Sequence, residues 1–86
     1  MNGITARNVW NHYVIYGPNT KDYPGVFACR RFQIADGTVT PCEVVALGPS
    51  VEHLRLEVFR VGHFLGQPAC FERDPSDDPS IVETWL

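Results

Sequence analysis

Pro49-Ser50-Val51-Glu52-His53-Leu54-Arg55-Leu56-Glu57-Val58-Phe59-Arg60-Val61-Gly62 is the stretch on which the fold class turns. Leu54 to Val58 alternates apolar and charged residues, the pattern of a half-buried strand. The alternation breaks at Phe59, however, and the rest of the stretch obeys helical rules. Ser50 suits an N-cap, because its hydroxyl can accept from a backbone N–H of the first turn. Glu52 suits the positive end of the helix dipole. Val51, Leu54, Val58 and Val61 recur at the spacing of one helical face. Glu52 with Arg55, and Glu57 with Arg60, make opposite-charge pairs three residues apart. Gly62 stands where a left-handed C-terminal residue belongs. The stretch predicts one helix over Ser50 to Val61; read as a strand, it would make the protein all-β.

Outward from this helix the chain reads as strands and turns. Val9 to Tyr16 is rich in aromatic and β-branched residues and predicts a first strand. Gly17-Pro18-Asn19-Thr20 breaks it, and Tyr23-Pro24-Gly25-Val26 carries Pro and Gly at the two central positions of a type II turn. A second strand follows from Val26 to Ile34, antiparallel to the first. Asp36-Gly37 is a strong hairpin signal, and Pro41 to Leu47 predicts a short edge strand. Beyond the helix, Gly66 to Arg73 is a connector with a short strand at Ala69 to Phe71. Asp74 to Pro79 is a polar turn, and Ser80 to Leu86 is the last strand. The expected architecture is α+β: a mainly antiparallel sheet of three to five strands packed by one helix. Residues 1–86 read as one domain, with 1–8 a loose lead-in.

Two segments carry charge where a plain core strand would carry only apolar side chains. They are Asp22 to Phe32, with Arg30 and Arg31, and Asp74 to Leu86, with Glu83. Alternation places Val26, Ala28, Arg30, Phe32 and Ile34 on one face of the second strand, the expected buried face. An inward arginine must be paired or reach the edge, since an uncompensated buried charge costs several kcal/mol. The expectation is that Glu83 bonds Arg30 or Arg31 across neighbouring strands. Whichever arginine is left over could line a pocket for an anionic ligand, with Asp22, Tyr23, Cys29 and Trp85 as further candidate residues nearby.

At 86 residues the chain has a thin core, and self-association is a common remedy, so a homodimer is expected. A formal charge of −3 argues against nucleic acid as the main partner. Between Glu72 and Glu83 lie five acids against Arg73 alone, an acidic run that reads as a solvated loop. The three cysteines, Cys29, Cys42 and Cys70, form no C-x-x-C, and no secretory leader or long apolar run is seen. The chain therefore reads as a cytoplasmic protein with reduced thiols and no membrane partner.

Asp22-Tyr23-Pro24, Phe27 with Arg30-Arg31-Phe32, and Asp77-Asp78-Pro79-Ser80-Ile81-Val82-Glu83-Thr84-Trp85-Leu86 together carry a resemblance. The chain resembles a family of small bacterial proteins of unassigned activity. Their pattern is a DYP turn, an F-x-x-R-R-[WF] strand, a helix and a D-D-P-x-I-V-E-x-W-[LI] ending. The resemblance implies the same α+β fold and a bacterial cytoplasmic setting. It transfers no catalytic residue.

Other constellations yield to blander readings. His12, His53 and His63 lack the spacing that fixes metal ligands on one turn, so no metal or cofactor is expected. Cys29 has Arg31 on its face, and a cation can lower a thiol pKa, but a buried structural thiol fits the position better. Arg30 and Arg31 among aromatics suggest a single-strand nucleic-acid face, yet they point to opposite sides of the strand. Asp77-Asp78 reads as turn capping. No phosphate loop or nucleophile elbow is present. The sequence therefore favours a non-enzymatic binding or interaction module acting as a homo-oligomer. The alternative is a small enzyme or ligand-binding protein that uses Arg30 or Arg31 to hold an anionic small molecule.

Overall fold

The computed structural model describes residues 9–62, 64 and 67–86. The lead-in at 1–8 and His63 lie outside the described residues. Among the described residues five strands and one helix occur in the order β1 (Val9–Tyr16), β2 (Phe27–Ala35), β3 (Thr38–Gly48), α1 (Val51–Val61), β4 (Cys70–Glu72) and β5 (Ile81–Trp85). They form one antiparallel sheet in the order β3-β2-β1-β5-β4, packed by the helix on one face. This is the expected α+β domain.

The deciding stretch is helical for the anticipated reasons. The Ser50 hydroxyl accepts from the His53 N–H at 3.1 Å, which satisfies one of the first turn's unpaired donors. Leu54 and Val58 are fully buried, whereas Leu56 is 70% exposed, so the helical period and not the strand period governs burial. Two details differ. Gly62 is extended (φ −73°), not left-handed, and its N–H donates to Val58 O at 2.7 Å. A Cβ there would come within 2.5 Å of that same carbonyl, so close approach explains the glycine. Arg55 does not turn back to Glu52 but reaches across to β5, while Arg60 does bond Glu57, with Nε at 3.2 Å.

The turns follow their chemistry. Gly25 (φ +86°) closes the Tyr23–Val26 turn, and Asp36 (φ +52°) with Gly37 (φ +78°) gives the β2–β3 hairpin two left-handed residues. β3 is longer than expected because the hairpin extends pairing back to Thr38 opposite Ala35.

Register fixes which side chains share a face. Tyr13 lies opposite Arg31 and Trp85, and Ile15 opposite Cys29 and Glu83. The helix packs on this face, where Tyr13, Ile15, Cys29, Leu54 and Val58 form the core. The Val26–Ile34 set, expected to be the buried face, is thus the side away from this core. Arg30, opposite Val14, belongs to the helix-free face. Alternation groups residues by face but does not say which face the helix takes. The helix begins three residues after β3 ends opposite Phe27, and it settles over Phe27, Cys29 and Ala46. Register shifts in β3 beside Arg30, and in β5 between the partners of Ile15 and Tyr16, add local twist at both sides of the sheet.

Candidate functional site

Glu83 does not bond Arg30 or Arg31. β1 lies between β2 and β5, so the two segments are not neighbours, and Arg30 is on the wrong face. The partner is Arg55 of the helix, whose Nε and Nη2 donate to the two Glu83 carboxylate oxygens at 2.9 and 2.8 Å. Trp85 Nε1 donates to the same carboxylate at 2.8 Å. The Arg55 guanidinium beside Glu83 holds its carboxyl below the usual range, against the opposing effect of burial and with help from Trp85. Phe59 closes the arrangement with an edge-on ring contact to Trp85 at 5.1 Å between centroids. Both Glu83 carboxylate oxygens and the Trp85 N–H are engaged. The cluster clamps helix to sheet.

Arg31 is equally committed. Its Nε and Nη2 donate to Glu43 on neighbouring β3 at 3.2 and 3.0 Å, and its Nη1 to Asn11 at 3.0 Å. Cys29 lies in the core with no exposure, and burial pushes its thiol up to about 12, the opposite of an activated nucleophile.

Arg30 is different. It is half-buried, and among the described residues its guanidinium makes no hydrogen bond or ion pair. It stands in a groove of about 590 Å³ on the helix-free face. The floor comes from the strands: Tyr16 of β1, Ala28, Arg30 and Phe32 of β2, Pro41 and Val44 of β3. One rim is the loop Asn19 to Tyr23, the other the turn Asp78 to Ser80.

Both rims are braced by local bonds. In the loop, Tyr23 N–H donates to Thr20 Oγ1 at 3.2 Å and Gly25 N–H to Pro18 O at 2.8 Å, with a bridge between Asn19 and Pro24. In the turn, Asp78 Oδ1 accepts from the Ser80 N–H at 2.9 Å and hydroxyl at 2.6 Å, and Asp74 does the same for Ser76. The carboxylates of the acidic run therefore cap their own turn, as side chains of this type do. Ser80 hydroxyl and N–H keep the Asp78 carboxyl below its ordinary range. Gly17 N–H donates to Ser80 O at 2.7 Å and ties this turn to the end of β1.

Of the sequence candidates, Arg30, Asp22 and Tyr23 come together in the groove, while Arg31, Glu83, Cys29 and Trp85 lie on the helix side. Tyr16, Lys21, Asp78 and Ser80 were not foreseen as lining residues. The signal for them was the pair of Pro-rich polar turns at Pro18 and Pro79, which become the two rims. Burial raises the Tyr16 phenol; Arg30 opposes this and Asp78 adds to it, so both charges act on one hydroxyl. Among the described residues no group of His, Cys, Asp and Glu gathers to hold a metal, and no helix is long and apolar enough to cross a membrane. Comparison with protein-family models, curated proteins and solved structures found no match to this chain.

Proposed function

We propose that the chain is a non-enzymatic binding module that holds a small anion-bearing molecule against Arg30 in the groove. The observation that carries this is the unspent guanidinium. Arg30 gives up part of its hydration on the groove floor and takes no partner among the described residues in return. Arginine presents up to five donors in a planar fork that matches a carboxylate or phosphate. The groove volume of about 590 Å³ falls within the range of ligand pockets, about 300–1,000 Å³. The Tyr16 hydroxyl, diagonal to Arg30 across β1 and β2, supplies a second donor. Among the described residues the lining holds no Cys or His, and the Ser80 hydroxyl donates to Asp78 within its own turn, which favours binding over catalysis.

A thermal-shift screen against small carboxylates and phosphates tests this. A ligand at a hundred times its Kd stabilises the native state by about 2.7 kcal/mol. The expected result is a set of anions that raise Tm in the wild type and fail to do so in Arg30→Gln. If no anion raises Tm, or the shifts survive in the variant, the proposal falls.

A homodimer is supported by a separate observation. Val39, Ile34 and Trp10 lie opposite one another across β3, β2 and β1 on the helix-free face, away from the groove rims. Trp10 is 46% exposed and Val39 57% exposed, an apolar row with nothing over it among the described residues. Light scattering of the wild type and of Trp10→Glu checks this: a dimer that dissociates in the variant supports it, and a monomeric wild type at micromolar concentration removes it.

A further inference from the structure

The groove holds charges of both signs. Arg30 and Lys21 stand against Asp22 and Asp78 in its lining. Register orders the important ones. Tyr16 lies opposite Ala28 on one side and Ile81 on the other, and Arg30 is one row along on the same face. The Gly17–Ser80 bond brings the Asp78 turn to the far side of Tyr16. Tyr16, on β1, therefore stands between Arg30 on β2 and the Asp78 turn on the β5 side.

Arg30 and Asp78 do not close an ion pair, although both act on the Tyr16 hydroxyl. Asp78 spends one oxygen on Ser80 and leaves the other without a protein donor among the described residues. The Ser80 bonds also keep this carboxylate ionised at neutral pH. The groove thus carries a cation and an anion that do not pair with each other, with the Tyr16 phenol in the same lining.

This arrangement discriminates among anions. The two carboxylates offset Arg30 and Lys21, so a dianionic phosphate would bring two charges into a lining that carries no net charge and would face both carboxylates, and like-charge juxtaposition is a means of rejecting a ligand. A monoanionic carboxylate that brings its own cation meets no such penalty, because each end finds its complement. Ala28, Phe32, Pro41 and Val44 supply an apolar strip beside the charged groups. We propose that the groove takes an amphoteric ligand, an amino acid or a dipeptide, with its carboxylate on Arg30, its ammonium on Asp78 and an apolar side chain along Phe32, Pro41 and Val44. The assignment rests on the reading of Arg30 as the anion site and narrows it to one class.

Calorimetric titration of the full chain with leucine, leucyl-leucine, N-acetyl-leucine, leucinamide and phenyl phosphate separates the two claims. Leucine or leucyl-leucine is expected to bind about tenfold or more tightly than the acetylated, amidated and phosphate compounds, as loss of a charged contact implies. Which zwitterion is tighter tells a free amino acid from a dipeptide. Asp78→Asn keeps the Oδ1 acceptor for Ser80 and removes only the charge, so the turn is retained. It should weaken the zwitterion about tenfold, while N-acetyl-leucine binds as well as before or more tightly because a like charge is gone. Arg30→Gln should abolish both. If N-acetyl-leucine or phenyl phosphate binds as well as the zwitterions and is lost only in Arg30→Gln, the amphoteric class is wrong and the anion site stands. If no compound loses binding in Arg30→Gln, both fail.

Discussion

Replacing Glu83 by Gln isolates the charge in the clamp between helix and sheet. Glu83 is 5% exposed and accepts three hydrogen bonds between 2.8 and 2.9 Å, two from Arg55 and one from Trp85. Hydrogen bonds to a charged group contribute about 1.5–3 kcal/mol each, but Arg55 is partly exposed and recovers some of its share from water. Gln retains one acceptor and turns an NH₂ donor toward the other donors. A net loss of about 2–4 kcal/mol follows, at and below the lower end of the about 3–5 kcal/mol range for breaking a fully buried pair, because Arg55 is partly exposed. For a domain of this size that lowers Tm by roughly 10–25 °C. The pH dependence carries a sign. The Glu83 carboxyl is depressed in the folded state, chiefly by Arg55, so its contribution is complete above the unfolded value of about 4.3 and is lost as pH falls through the lower folded value. Urea unfolding followed by tryptophan fluorescence should give a wild-type-to-variant gap that is constant from neutrality to about pH 5 and closes in stronger acid. A gap below about 0.5 kcal/mol at pH 7, or one that persists unchanged in strong acid, would refute the clamp.

Leu54→Ala should cost about 2–5 kcal/mol in chemical denaturation, whereas Leu56→Ala, on the solvent face, should cost under about 0.5 kcal/mol; the reverse order would contradict the helical burial pattern. Ser50→Ala removes the cap on His53 N–H and should cost about 1 kcal/mol by the same assay, with a loss near zero counting against the cap. At pH 8 the buried Cys29 thiol should resist an aromatic disulfide reagent in the native state, while Cys42 and Cys70 react, Cys70 the more slowly because burial and the Glu83 carboxylate push its thiol up; adding urea should release the third equivalent, and three equivalents without denaturant would contradict the burial of Cys29.

Local rules were legible along most of the chain. Val9–Tyr16 was readable as a strand from its aromatic and β-branched run, the hairpin from Asp36-Gly37, and the helix from Ser50 and the Leu54/Val58 spacing, because each signal is contained within a few residues. The charge partners were not, because they depend on strand order. Glu83 and Arg31 share a face yet are separated by β1, and nothing in their own segments reveals that intervening strand. Arg55 could be read as the i+3 partner of Glu52 only while β5 was absent from view. The groove was half legible: Arg30, Asp22 and Tyr23 were singled out, but Tyr16, Lys21 and Asp78 gain meaning only when two turns far apart in sequence frame one sheet face.

The pairing of β1 with β5 joins segments about seventy residues apart, whereas β1, β2, β3 and α1 connect by short links, and β4 pairs only with β5. Closing so long a loop costs more entropy than the short links do, so β4 and β5 should assemble late and open together as a unit. Amide exchange should then divide the sheet along the β1–β5 line, with β4 and β5 exchanging together through partial opening. The Arg55–Glu83 bonds are the side-chain latch on that line from the helix side. On the other face the groove straddles the same line, Arg30 on the early unit and Asp78 on the turn that leads into β5. A molecule spanning those two residues would fasten the late unit to the early one, and its occupancy would be recorded as slower exchange throughout β5.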